Sequence, residues 1–198
     1  MLHLSQYFVK EHVGLFKLSN AYDIIDPESG KKVGLAQEKP GGWIIALRFL
    51  INKQLLPTRV DIIENPDENG NGKIIVSIKR GFTLFRSKIT VLIDGNTEIG
   101  YFKSKLFSFG GGFWIYDSAN AKVAEVKGDW KGWNFKLLDI SGGEIGTVTK
   151  KWSGLGKEMF TSADNYMIAL SGAAKNDAGA KALMLAAGIA IDTVFKEK

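Results

Sequence analysis

The chain of 198 residues has no cysteine and only two histidines. The missing cysteines exclude disulfides, thiolate metal sites and a cysteine nucleophile, and fit a reducing compartment. His3 and His12 stand apart from any acid or hydroxyl at a recognisable catalytic spacing, so no nucleophile, base and orienting group can be assembled and no catalytic residue is assigned. An enzyme is therefore the least favoured class. The N-terminal stretch MLHLSQYFVKEHVGL lacks the basic start, apolar core and small-residue cleavage site of a signal peptide, which points to an intracellular, cytoplasmic protein. Blocks of one charge are also absent. The 26 Lys and Arg are scattered among 21 acids, for a net charge of +5. A modestly basic surface of this kind attracts anionic surfaces such as phospholipid headgroups or nucleic acid weakly, identifies neither, and is at least equally compatible with an ordinary solvated exterior.

What the chain does have is 45% hydrophobic and 11% aromatic residues, enough for one substantial core, and residues 1–198 are expected to form one domain. The longest apolar run is Ala178–Phe195, reading AGAKALMLAAGIAIDTVF. Its helix-forming residues predict a helix of about 18 residues, roughly 27 Å long, started by Asn176 or Asp177. From Ala182 to Ile191 the residues are continuously apolar, so the helix has no solvent face and must be surrounded by protein or lipid. A spanning helix needs about 20 predominantly apolar residues, and Lys181 and Asp192 interrupt this one near its ends. Burial inside the rest of the chain is the better expectation, with membrane insertion and an oligomer interface as its rivals. The small side chains of Ala182, Ala186, Ala187, Gly188 and Ala190 make a slim rod that strands can approach closely.

The rest of the chain reads as short β-like runs broken by turn residues. Strands are expected near Tyr7–Val13, Phe16–Ile25, Lys32–Gln37, Thr58–Ile63, Lys73–Lys79, Lys88–Ile93, Glu98–Phe107, Phe113–Tyr116, Lys122–Lys127, Trp133–Leu138, Glu144–Lys151 and Asn165–Leu170. Alternation puts Ile74, Val76 and Ile78 on one face of their strand, and Ile89, Val91 and Ile93 on one face of the next. The segment Trp43–Leu55, bounded by Gly41-Gly42 and Pro57, fits a short helix or a strand. A weak repeat recurs as Asp26…Val33-Gly34, Asp94…Ile99-Gly100, Asp117…Val123-Ala124 and Asp139…Ile145-Gly146. In each the aspartate can accept backbone amides two residues on, which makes these acids turn-formers and not paired catalytic carboxylates. About twelve antiparallel strands and one apolar helix imply a mainly β architecture, a closed barrel whose lumen is too wide for side chains alone and is plugged by the C-terminal helix.

From Ile145 onward the chain resembles the C-terminal end of the phospholipid scramblase family. The residues carrying this are Ile145-Gly146, Lys150, Trp152-Ser153-Gly154, Lys157-Glu158, Phe160-Thr161, Ala163-Asp164-Asn165-Tyr166 and Ile168, followed by Lys181-Ala182, Met184, Ile191-Asp192 and Phe195. They cover about a quarter of the chain. The resemblance implies a twelve-stranded barrel around a buried hydrophobic C-terminal helix, a fold related to the tubby C-terminal domain and to plant LURP-one-related proteins. It raises calcium as the one cofactor, with Asp164 and Asn165 as the candidate ligands. The family's calcium segment begins Asp-Ala-Asp-Asn-Phe and ends in a further acid, whereas Ser162 and Ala173 stand at two of its oxygen positions here. The palmitoylated cysteine cluster and Pro-rich arm of some animal members are also absent. A second calcium candidate, Asp67-Glu68-Asn69-Gly70-Asn71-Gly72-Lys73-Ile74, mimics the start of an EF-hand loop, but Ile78 occupies the position of the required bidentate acid and a hairpin turn is the better reading. Gly110-Gly111-Gly112 lacks the lysine and helix of a phosphate loop.

The candidate lipid-binding residues are Trp130, Lys131 and Trp133, with Lys150, Lys151 and Lys157 around Trp152. Trp and Lys suit an interface that is apolar on one side and wet on the other, although Trp also serves as rim packing in barrels. The leading expectation is a scramblase-like protein, peripheral to the membrane, that binds or perturbs anionic phospholipid surfaces. Its rival is a soluble barrel that presents loops to a protein partner or, less readily, to nucleic acid.

Overall fold

The computed structural model describes residues 1–12, 20–47, 50, 55–81, 88–105, 112–129, 133–150 and 165–192. Twelve strands follow one another: β1 (Gln6–Glu11), β2 (Ala21–Ile25), β3 (Lys32–Glu38), β4 (Thr58–Glu64), β5 (Lys73–Arg80), β6 (Lys88–Ile93), β7 (Thr97–Ser104), β8 (Gly112–Asp117), β9 (Lys122–Asp129), β10 (Asn134–Asp139), β11 (Glu144–Thr149) and β12 (Tyr166–Leu170). Each pairs antiparallel with its neighbour in sequence and β12 returns to β1, closing the barrel. A strand is present at each of the twelve expected places; the expected ends at Val13, Phe16, Phe107 and Lys151 lie outside the described residues. Trp133, expected to open a strand, instead precedes β10 with φ +47°. The ambiguous segment between β3 and β4 begins as a short helix, α1 (Gly42–Leu47).

The final helix, α2 (Ala178–Ala190), fills the barrel. It packs against β5, β6, β7 and β12, and every residue from Lys181 to Ala190 is buried. Asp177 caps it by accepting the amide of Ala180 at 2.5 Å. Slimness matters here: a Cβ on Gly188 would come within 2.7 Å of Ile168 Cγ1. The two charges that interrupt the apolar run are absorbed at opposite mouths. Lys181 reaches out to donate to the carbonyl of His3 at 3.2 Å, while Asp192 is buried beside Tyr22 and Tyr166. Among the described residues no helix is long and apolar enough to cross a bilayer. The strands turn Val76, Ile89, Phe102, Phe113, Val126 and Phe135 into the core while Lys88, Lys103, Lys127 and Lys136 are exposed. That distribution is the reverse of a membrane-spanning barrel, which is apolar outside and polar within.

The repeat has a structural cause. The hairpins β2–β3, β4–β5, β6–β7, β8–β9 and β10–β11 each carry a register shift, and the bulged residues are Val33, Ile75, Ile99, Val123 and Ile145. In four of them the next residue is Gly or Ala; at Gly100 this leaves room for α2, since a Cβ there would lie 3.1 Å from Leu183 and run into the Tyr116 carbonyl, while Cβ atoms on Gly34 and Gly146 would crowd the carbonyls of Ile63 and Ala169 on the neighbouring strands. The bulge also corrects the expected face of β5, because Ile75 instead of Ile74 joins Val76 and Ile78 in the core. Asp26, Asp117 and Asp139 form the expected turns, each accepting the amide two residues on at 2.8–3.0 Å. Asp94 does not follow them. It sits within a tight turn at φ +45° and faces Lys73 at 3.7 Å. Asp67 takes the role instead, accepting the amides of Asn69 and Asn71, so the EF-hand-like stretch is a hairpin turn.

Candidate lipid-facing end of the barrel

Antiparallel closure sorts the connections between strands onto two ends. The tight turns after β2, β4, β6, β8 and β10, together with the entry of α2, form a hairpin end; the six other connections leave and return at a loop end. Turns 26–31, 65–72, 94–96, 118–121 and 140–143 contain no aromatic residue, and within them the acids Asp26, Glu28, Asp67, Glu68 and Asp94 outnumber the one cation, Lys31. The sequence joining strands at the loop end is of opposite character. Each of its six stretches contains an aromatic residue, namely Phe16, Trp43, Phe82, Phe107, Trp130 and Trp152 among others. Its cations, which include Lys17, Lys39, Arg48, Arg86, Lys105 and Lys150, greatly outnumber the two acids Glu158 and Asp164.

In sequence, the predicted lipid-binding residues all fall in or beside the β9–β10 and β11–β12 connections. Trp130, Lys131, Lys151, Trp152 and Lys157 lie outside the described residues, as does Asp164 of the calcium pair. Trp133 is half-buried, its ring edge-on to Phe135 at 5.7 Å and tilted against Tyr166 at 5.4 Å. Lys150 stands over the same ring, Nζ 4.5 Å from its centroid. The structure therefore brings Trp133 and Lys150 together as rim packing that holds a cation at the mouth. Asn165 is buried at 2% exposure immediately before β12. Among the described residues no group of three or more His, Asp or Glu side chains is placed to hold a metal ion.

Below this rim is an interior polar layer. Burial first, then the carboxylates of Asp192 and Glu11, push the hydroxyls of Tyr22 and Tyr166 far above the ordinary phenol range. Tyr7, opposite Ile168 and so farther from this rim than Tyr166, donates its hydroxyl to the Leu4 carbonyl at 3.0 Å and is pushed by burial to about 12.

Two further features escaped sequence reasoning. One is a solvent-facing stripe on β6–β9. Lys88 lies over Tyr101, which stacks on Tyr116 at 4.9 Å, and Trp114 sits between Lys105 and Lys122 at 3.8 and 4.0 Å. Its lysines are largely neutralised: Glu98 takes Lys88, and Glu125 takes both Lys105 and Lys127. Burial raises the Glu125 carboxyl, but the two ammonium groups outweigh it and hold the group below its ordinary value. The wall thus offers an anion less net charge than its lysines suggest. The other feature is the β3–β4 connection, where Trp43, Leu50 and Leu55 are 58%, 83% and 40% exposed. The available clue was its length: nineteen residues of largely apolar sequence is far more than a strand reversal needs.

The hairpin end holds a crevice of ≈ 440 Å³ between the bulged Ile99, Val123 and Ile145 and the first turns of α2. Its size suits a small ligand. Asp117, Asp139 and Asp177 also line it, an arrangement that repels phosphate and carboxylate groups. An anionic partner is therefore opposed at this crevice.

The chain is 23% identical over 180 residues to Altered inheritance rate of mitochondria protein 25 of Saccharomyces cerevisiae, a match covering 77% of this chain and 52% of that protein. It thus spans about half the length of the curated relative it matches. No solved structure matches. The family model described as Scramblase matches residues 9–198, which takes in eleven complete strands, half of β1 and all of α2. The chain belongs to the Scramblase family.

Proposed function

We propose that this protein binds the surface of anionic phospholipid bilayers from one side, docking by its loop end, and does not itself carry lipid across. The observation that carries the reading is the inequality of the two ends, one aromatic and cationic, the other acidic and without aromatics. Cations draw the barrel to acidic headgroups, and Trp and Phe settle at the boundary between headgroup and acyl chain. Membership of the Scramblase family supports a lipid-associated role. The buried helix speaks against transport, because the apolar side chains of α2 are spent on the barrel core and the barrel wall is charged outside.

Flotation of the purified chain with phosphatidylcholine vesicles, with and without phosphatidylserine, tests this. Binding is expected only with the anionic lipid, unchanged when calcium is removed with EGTA, since Ser162 and Ala173 replace two oxygen ligands. Labelled-lipid assays on the same vesicles should show no accelerated flipping. Absence of flotation in every condition would favour the rival reading, a soluble barrel that binds a protein partner.

A further inference from the structure

We infer that Trp43, Leu50 and Leu55, exposed on the β3–β4 connection, act as a hydrophobic wedge that enters the acyl region of the bilayer and makes docking resistant to salt; this rests on the lipid-surface reading above. The described residues clamp the connection to the barrel at both ends while leaving Trp43, Leu50 and Leu55 outside. Lys39 donates its amide to the Arg59 carbonyl at 3.0 Å at one end. At the other, buried Leu56 offers its carbonyl to the Arg80 guanidinium at 3.2 Å. Ile44 on α1 is buried, and its amide bonds the Gly41 carbonyl at 2.9 Å. Between these anchors Trp43, Leu50 and Leu55 face outward. They are three of the four large apolar side chains exposed among the described residues, gathered within thirteen positions.

Isolated exposed leucines are commonplace, but a clustered set held out by buried anchors marks a contact surface. The occupant follows from its setting. Trp with aliphatics, on the end of the barrel whose connecting sequence is rich in Lys and Arg, matches a bilayer interface, where rings and alkyl groups pass the headgroups and cations stay with the phosphates. Lys39 precedes the wedge directly, and Lys150 lies over Trp133 at the same mouth. The fourth exposed side chain, Ile140 at 72%, lies in a hairpin turn at the opposite end and serves as an internal control.

The experiment is flotation with phosphatidylcholine/phosphatidylserine vesicles at low and at 1 M salt, where the Debye length is about 3 Å. It compares wild type, the triple variant Trp43→Glu/Leu50→Glu/Leu55→Glu, and Ile140→Glu. Wild type is expected to keep measurable binding at high salt. The triple variant should bind about a hundredfold more weakly, with the larger loss at high salt, because apolar burial and not charge then holds the complex. Ile140→Glu should match wild type. All substituted side chains are exposed, so circular dichroism melts should coincide. As a second readout, acyl-brominated lipid should quench a fluorescence component that Trp43→Phe removes. If wild type does not float at all, the lipid-surface reading fails. If wild type floats and the triple variant floats equally at both salts, or Trp43→Phe leaves the quenching unchanged, the wedge is wrong while that reading stands. A loss as large in Ile140→Glu would overturn the assigned end.

Discussion

Ala187→Arg is expected to abolish the cooperative fold. Ala187 has no exposed surface, and its methyl group lies mid-helix inside the closed barrel. A long cation there has neither space nor a route to water, unlike Lys181, which lies near the mouth and finds the His3 carbonyl. An unpaired charge buried in this way costs several kcal/mol. That is comparable with the whole stability of an ordinary domain, about 5–15 kcal/mol. Because α2 contacts strands on several sides of the barrel, losing it removes the common core of the sheet. The thermal transition should vanish or fall steeply, and the chain should aggregate. A variant that melts like wild type would show that α2 is an appendage.

Alkaline unfolding should be the second large effect. Tyr7, Tyr22 and Tyr166 are all buried, and all have hydroxyls pushed above the ordinary value of 10. The folded state therefore holds these protons more tightly than the unfolded chain. Their contribution is complete below about pH 10 and is lost as pH rises through the folded values, Tyr7 completing its share near 12. Above the unfolded value each tyrosine shifts the balance by about 1.4 kcal/mol per pH unit, so three together remove about 4 kcal/mol by pH 11. Denaturant midpoints should stay flat from pH 8 to about 9.5 and then drop. Tyr22→Phe should soften the drop, and a flat profile to pH 11 would contradict the buried hydroxyls.

The strands were legible because turn chemistry repeats. Asp26, Asp117 and Asp139 each stop a strand by capturing the amide two residues on, and the glycines that follow three of the bulges allow close approach, to neighbouring strands at Gly34 and Gly146 and to Leu183 of α2 as well at Gly100. The plug was legible because ten consecutive apolar residues leave a helix no wet face. What could not be read is set by pairing across the sheet. Alternation places Ile74 inside, yet the shift between Ile62 and Ile63 on β4 hands that place to Ile75. Trp133 has strand-like neighbours, but a positive φ turns it onto Tyr166. The same limit applies to the site. Trp133 and Lys150 were singled out separately, and only closure of the barrel puts the lysine over the ring. Trp43, Leu50 and Leu55 gave no periodic signal, since a segment of ambiguous helix or strand character shows which side chains are outside only after Ile44 and Leu56 have been seen to anchor it.

The central claim is that the barrel meets the bilayer intact, loop end first, with α2 still inside. Hydrogen–deuterium exchange on the full chain, with and without phosphatidylserine-containing vesicles, tests it most directly. The account predicts that peptides from the twelve strands and from residues 178–192 keep the same protection in both states. Peptides spanning 39–57 and the other loop-end connections should gain protection on the vesicles, and the hairpin turns 65–72 and 139–143 should not change. Strands that lose protection when vesicles are added would show α2 leaving the barrel for the lipid, and protection gained at the hairpin turns would show the opposite face docking; either result would contradict the account.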